Sequence, residues 1–402
     1  MQITKRIAEL DIIRGIALFG ILIVNMGLFS FPALYTDALD AWPDWTDQLM
    51  VMLINFVGEG KFISMFSFLF GLGFMIFIAG AEKKEQRPVR LFIRRLFILL
   101  LIGLVHSYFI WYGDVLCIYS VAGLFLLFFR ASRPKTVLVW AFSLLLIPVF
   151  LFLSAGFLIG PAFFAEAAIG GIPAKTIAGY VVLIYQKGTV GELFLQNNMD
   201  SILTKIGYCL ILPQIFAMFL FGTYAGKQQI FNQLPEHLGK IRSIFLVSLT
   251  IGLPVALAGL VCLGMPHDSA AYNIMQFLGS YIGGSALGIF YVCAVLLLLQ
   301  KASGQRILAP FAAVGRMAAT NYILQSVICV LFFYSFGLGL YGKTSPVAGL
   351  FLAIGVYIFQ VFFSNFWMNR FLYGPIEWLW RSLTYGKKMP IKMNAIQKQK
   401  MV

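Results

Sequence analysis

An all-α protein built into a membrane, with about ten spans, is the fold this chain predicts. Three observations carry that reading. Apolar residues make up 60% of the 402 residues and charged ones only 11%. The apolar mass is gathered in blocks long enough to cross a bilayer, and nearly every charge falls between blocks. The mean hydropathy of +0.87 and the 40 phenylalanines exclude disordered, fibrous and disulfide-scaffold chains, which lack the apolar surface to fill spanning helices. A β-barrel is excluded as well, because stretches such as 96–110 have none of the alternation that its strands of about ten residues require.

A window of about 19 residues places spans near 11–31, 61–81, 94–112, 114–130, 136–159, 206–226, 242–264, 276–299, 314–336 and 347–369. The first is a retained helix and not a cleaved signal: it carries Asp11 and Arg14 at one end and finishes in bulky Leu28, Phe29 and Phe31, where cleavage needs small residues. After it, Asp37, Asp40, Asp44 and Asp47 stand beside Trp42 and Trp45, a stretch suited to a helix lying at the outer interface. The second span starts from Gly58-Glu59-Gly60-Lys61, a flexible or broken helix start. The third and fourth are joined by a very tight hairpin at Gly113-Asp114. A long connection follows the fifth and holds Gly170, Gly171, Gln196, Asn197, Asn198 and Asp200; connections of this length are usually functional or disordered, and either an outer cover for a site or partial interfacial helices near 177–186 are expected.

The chain thus divides into a five-helix half at 1–159, an extracytoplasmic connection at 160–205, a second five-helix half at 206–386 and a basic tail at 387–402 suited to anionic lipid. Five spans per half place the halves in inverted orientation, although no sequence repeat relates them. With the N-terminus inside, all but Lys61, Lys175, Lys187, Lys205 and Lys343 of the 30 basic residues fall on the cytoplasmic side, which puts both termini there. The net charge of +14 therefore answers to the membrane and not to nucleic acid. The five cysteines have no paired spacing and read as small core hydrophobes.

Polar groups inside spans are costly, so function is sought among them. Asp11 and Arg14 share a helix face and can pair, either as a span-end ion pair or with Arg14 free to hold a phosphate or carboxylate. Asn25 lies about 16 Å above Arg14 at helical rise, where it bridges helices or serves a site. Glu59 and Lys61 flank the broken start of span two and either line a cavity or face water. His106 and Asp114 are brought near each other by the hairpin: a carboxylate-held imidazole is the usual form of a general base, while Asp114 is equally well placed to cap span four. Of the three histidines, His237 and His267 fall in loops and read as surface residues. Arg316, Asn321 and Gln325 form a polar stripe on span nine, either helix glue or the lining of a passage. No Walker A, Rossmann, HExxH or GxSxG motif is present, so nucleotide hydrolysis, nicotinamide chemistry, zinc proteolysis and serine hydrolysis have no support.

Four segments together, Asp11-Ile12-Ile13-Arg14-Gly15 through Asn25, Lys61-Phe62 with Phe66-Ser67 and Phe70-Gly71, His106 with Gly113-Asp114, and Gly315-Arg316 with Asn321-Tyr322 and Gln325-Ser326, resemble the YeiB family, whose C-terminal half is domain of unknown function 418. The family is bacterial, which implies the plasma membrane. More distantly the chain is similar to the transmembrane acyltransferase superfamily that includes heparan-glucosaminide acetyltransferase, whose first helix opens with Asp-x-x-Arg-Gly and ends with Asn, as Asp11, Arg14, Gly15 and Asn25 do here. That enzyme's catalytic His follows the first span, and residues 29–59 here contain none. Either His106 takes that role or this branch has kept the scaffold and lost the chemistry.

The resemblance implies an O- or N-acyltransferase that passes an acyl group from cytoplasmic acyl-CoA to a lipid or envelope-glycan acceptor outside, with no metal. His106 would be general base, Asp114 its orienting group, Arg14 and Arg316 the donor's anchors, and Asn25, Asn321 or Gln325 the oxyanion donors. A secondary transporter or lipid-binding permease is the competing expectation, and a homodimer stays open.

Overall fold

A computed structural model of the chain describes residues 7–159, 174–263, 265 and 269–392. Lys5, Arg6, Gly170, Gly171, His267 and the tail beyond Lys392 lie outside the described residues. The elements run α1 Ala8–Ser30, α2 Ala38–Ala41, α3 Trp45–Val57, α4 Lys61–Glu82, α5 Pro88–Phe109, α6 Leu116–Phe125, α7 Pro134–Ile159, α8 Ala174–Lys187, α9 Val190–Lys227, α10 Leu234–Cys262, α11 Ala270–Leu278, α12 Gly284–Leu298, α13 Ala302–Arg316, α14 Ala318–Phe333, α15 Pro346–Met368 and α16 Pro375–Tyr385. Among the described residues seven helices are long and apolar enough to cross a membrane, taking Trp45–Glu82 and Ala270–Leu298 each as one run, and the bent pair of α13 and α14 makes an eighth if it is counted as one span. The chain is an all-α polytopic membrane protein. The other two expected spans fall on α5, which carries Arg90, Arg94 and Arg95 in its first half, and on the shorter apolar run Leu116–Phe129.

Lipid tails are as apolar as leucine, so helices here are held by close packing and interhelical hydrogen bonds. α4 and α9 share the most extensive contact. At their crossing a Cβ on Gly71 would stand 1.8 Å from the Phe219 carbonyl oxygen, and one on Gly222 1.9 Å from that of Phe68. Around α1 the largest core gathers Leu18, Leu22, Phe29, Trp111, Tyr322 and Tyr357. α7 is peripheral and leaves Leu146, Phe150 and Phe157 exposed, as a lipid-facing helix does.

Four elements differ from the sequence reading. The stretch at 35–50 is split: α2 is one turn, and α3 runs on to Val57 and joins α4 past Gly60, whose φ is +74°. Asp47 on α3 is buried and accepts the Val347 amide at 3.1 Å, which caps α15. α9 begins at Val190, so Gln196, Asn197, Asn198 and Asp200 ride on a helix and not in the connection. A reciprocal cap starts it there, in which Thr189 Oγ1 accepts from Glu192 N while Glu192 Oε2 accepts from Thr189 N at 2.7 Å. His237 sits in the first turn of α10, half-buried.

The ninth expected span is two helices, broken at Met317 and bent by 81°. Glu377, from α16, supplies the new helix start: Oε1 accepts Ala319 N at 2.7 Å and Thr320 N at 3.1 Å, and Oε2 accepts the Thr320 hydroxyl at 2.6 Å. A cap of this kind stabilises a helix by about 0.5–2 kcal/mol. Glu377→Ala should therefore lower thermal stability in detergent by that amount, read by intrinsic fluorescence melting, whereas an exposed change on the same helix such as Leu383→Gln should leave it within about 0.5 kcal/mol.

Candidate active site

His106 lies in the last turn of α5, which closes when the Ile110 and Trp111 amides both donate to the His106 carbonyl. Residues 110–115 then reverse the chain within one short turn. Asp114 ends that turn with its two oxygens divided: Oδ1 accepts Cys117 N at 2.8 Å and caps α6, and Oδ2 stands 2.9 Å from His106 Nδ1. The cap and the histidine partner, alternatives in sequence, are one residue doing both. On the other side of the ring, His106 Nε2 is 2.8 Å from Ser326 Oγ on α14. The two ring nitrogens thus bridge the Asp114 carboxylate and the Ser326 hydroxyl, one on each side of the imidazole. A Ser-His-Asp relay results, with each member 1% exposed.

Tyr322, one turn before Ser326, fastens α14 to the hairpin: its hydroxyl donates to Gly113 O at 3.1 Å and accepts Val115 N at 3.3 Å, and its ring lies 5.2 Å from the imidazole. Trp111 meets the imidazole edge-on at 6.3 Å and stacks on Phe29 at 3.8 Å. Its indole N–H is buried with no hydrogen-bond partner among the described residues. α9 closes the other side: Ser107 Oγ pairs with Ser201 Oγ at 2.6 Å, and Lys205 reaches Ser201 at 2.8 Å from above the Tyr108 ring. Asp200 is buried between Tyr35, Tyr185 at 2.7 Å and Gln196 at 2.8 Å, all three donating to it.

The remaining candidates lie elsewhere in the bundle. Arg14 Nη1 and Asp11 Oδ1 pair at 3.1 Å, with Arg14 partly exposed. α13 crosses α1 beside them, backbone to backbone, because a Cβ on Gly315 would stand 1.8 Å from the Asp11 carbonyl oxygen; Arg316 therefore ends α13 next to this pair. Asn25 is half-buried on α1 and makes no side-chain hydrogen bond among the described residues. Lys61 is buried and donates to Asn55 O at 3.0 Å. With Glu59, Asn55, Gln276 and Ser280 it lines a recess of about 20 Å³, room for one water and separate from the relay.

Asn321 and Gln325 tie α14 to α15 and α1. The Asn321 amide donates to Val314 O at 3.1 Å and Ser364 Oγ at 2.9 Å, and Gln325 donates to Gln360 Oε1 at 2.9 Å. Gln360 in turn donates to Asn321 O at 2.8 Å. Among the described residues no three His, Cys, Asp or Glu come together as a metal site.

Sequence reasoning quoted Ser326 without giving it a role. Its only local signal is its place one residue past Gln325 on a polar helix; the pairing with His106 spans 220 positions and needs α5 and α14 side by side.

Residues 225–387 match the family described as protein of unknown function (DUF418). Over 96% of this chain and 96% of the relative, 36% of residues are identical to uncharacterized protein YxaH of Bacillus subtilis (strain 168). An uncharacterized 39.9 kDa protein in the amylase 3' region of Bacillus acidopullulyticus is 29% identical over 97% of each chain. Uncharacterized protein YeiB of Escherichia coli (strain K12) is 27% identical over 94% of this chain and 96% of its own length. Full-length similarity of this degree, with the DUF418 match falling on α9 through α16, makes the chain a member of the YeiB-like DUF418 family of multi-pass membrane proteins.

Proposed function

We propose that the protein is an acyltransferase of the bacterial plasma membrane that takes an acyl group from a thioester such as acyl-CoA and passes it to a hydroxyl or amine of an outer-leaflet lipid or envelope glycan. The observation that carries this is the buried relay of Ser326, His106 and Asp114 at 2.8 and 2.9 Å, the arrangement that activates a hydroxyl nucleophile. Ser326 Oγ attacks the thioester carbonyl as its proton passes to His106 Nε2; the C–S bond breaks and the departing thiol takes that proton. The acceptor then gives its proton to Nε2 and attacks the Ser326 ester, and the serine oxygen leaves and is reprotonated. Asp114 holds the imidazole's tautomer and steadies its positive charge. On the orientation read from basic residues, α5 and α14 both run outward, so the relay sits toward the outer face and the Asp11–Arg14 pair toward the inner one, beside Arg316.

The relay is enclosed, with the Trp111 and Tyr322 rings against the imidazole, and this reading requires those aromatics to move apart for a thioester to reach Ser326. The amide donors of Asn321 and Gln325 are already committed to neighbouring helices. In this reading the Trp111 indole N–H, which has no hydrogen-bond partner among the described residues and whose ring lies 6.3 Å from the imidazole, serves the developing oxyanion. Trp111→Phe should keep the ring's packing and lower kcat by about 10²-fold, as loss of one such donor does; an unchanged kcat would take the indole out of the mechanism.

The direct test is to incubate purified protein in liposomes with radiolabelled acyl-CoA, omit acceptor, and map the label by mass spectrometry. An ester on Ser326 is expected; thioester turnover with no label on Ser326 would overturn the covalent step, and no turnover of any thioester the reading itself. A transporter shares one feature, the 81° break between α13 and α14. Solute uptake by liposomes that survives Ser326→Ala would favour it.

A further inference from the structure

At the end of the bundle away from the relay, the first turns of α5 and the end of α16 enclose a recess of about 370 Å³. Arg87 at the N-cap of α5 and Arg90 and Arg94 in its first turns follow one another at helical spacing, and Lys387 lines the recess from just past α16, with Gln86, Leu91 and Tyr385 completing the wall. No acidic side chain lines it, and none of the four cations makes an ion pair among the described residues. The walls are fixed to each other. The Arg95 guanidinium lies 4.2 Å over the Trp380 ring, and the Trp380 indole donates back to the Arg95 carbonyl at 2.8 Å. Gly386, at φ +66°, turns the chain so that Lys387 N donates to Ser382 O at 3.2 Å.

The four cations are exposed around one recess and repel each other, and an anion bound among them relieves that repulsion. Guanidinium groups match phosphate oxygens two at a time, and the positive end of the α5 dipole opens on the same space. We infer that this recess is a binding site for a phosphate-bearing polyanion, of the charge and size of a diphosphate. That chemistry has two sources, the phosphates of a soluble cofactor such as a nucleotide-linked thioester and the headgroup of an anionic phospholipid. The site stands on its own charge and shape and does not depend on the acyl-transfer reading.

The test uses full-length protein in nanodiscs. In phosphatidylcholine discs, inorganic pyrophosphate is titrated by calorimetry; in discs doped with cardiolipin, retained lipid is counted by native mass spectrometry. Arg90→Gln with Arg94→Gln, and separately Lys387→Gln, are compared with Lys83→Gln plus Lys84→Gln, which removes exposed charge outside the recess. Saturable pyrophosphate binding that the double recess variant weakens by about tenfold assigns a soluble phosphate. Cardiolipin retention lost in the recess variants, without pyrophosphate binding, assigns a lipid headgroup, and both results together make the site general for phosphate. Binding of neither ligand, or equal weakening by the control substitutions, overturns the site.

Discussion

Ser326→Ala is expected to lower acyl transfer by roughly a thousandfold or more while the protein stays folded, the loss that follows when a hydroxyl nucleophile is removed from a relay of this kind. Removing one hydroxyl takes away the 2.8 Å bond to His106 and a long 3.4 Å contact to the Tyr322 carbonyl, a stability cost of about 1 kcal/mol. His106→Ala is the poorer test: it strands a fully buried Asp114 whose remaining donor is Cys117 N, and uncompensated burial of that kind costs about 3–5 kcal/mol. The measurement is single-turnover transfer of a labelled acyl thioester in liposomes, with melting temperature recorded on the same preparation. Undiminished transfer in Ser326→Ala would remove the hydroxyl from the chemistry. Activity lost only in step with melting would make the relay a structural device.

Gly315→Val should have the largest effect on folding. α1 and α13 touch through backbone at that point: a Cβ would lie 1.8 Å from the Asp11 carbonyl oxygen, and on the opposite strip of the crossing a Cβ on Gly15 would lie 2.2 Å from that of Phe311. Neither obstacle is a side chain that can swing away, so the helices must separate. Separation also pulls Tyr357, whose hydroxyl donates to the Gly15 carbonyl at 2.7 Å, out of register. Overpacking typically costs about 1–3 kcal/mol, and a rigid backbone obstacle puts this site at or above the upper end. Gly27→Val, on the same helix but with nothing within 4 Å of its Cβ, is the control. Monodisperse yield by size exclusion should collapse for the first and hold for the second. Equal yields would mean that α1 and α13 can separate at this crossing without loss of the fold.

Most of the architecture was legible in sequence because hydropathy reports burial in lipid directly. Blocks of apolar residues became helices, and His106 met Asp114 because a hairpin as short as 110–115 leaves them nowhere else to go. What hydropathy does not carry is where a helix stops when the stop is imposed from elsewhere. Met317 has neither glycine nor proline beside it; the break is made by Glu377, some sixty positions later, acting as the cap of α14. The start of α9 was readable, since Thr189 and Glu192 have capping-box spacing, but the polar run after it resembles a loop until Asp200 is seen accepting from Tyr35 and Tyr185. Ser326 was invisible for the same reason as Glu377: its meaning lies in a neighbour remote along the chain.

Because Glu377 sets where α14 begins, it also sets the height of Ser326 relative to His106. The position of Ser326 is therefore decided by a helix that follows it in the chain. A nascent chain stalled before α16 would already hold His106 against Asp114, yet Ser326 would have no assigned level in the bilayer, and the three side chains would not yet be aligned.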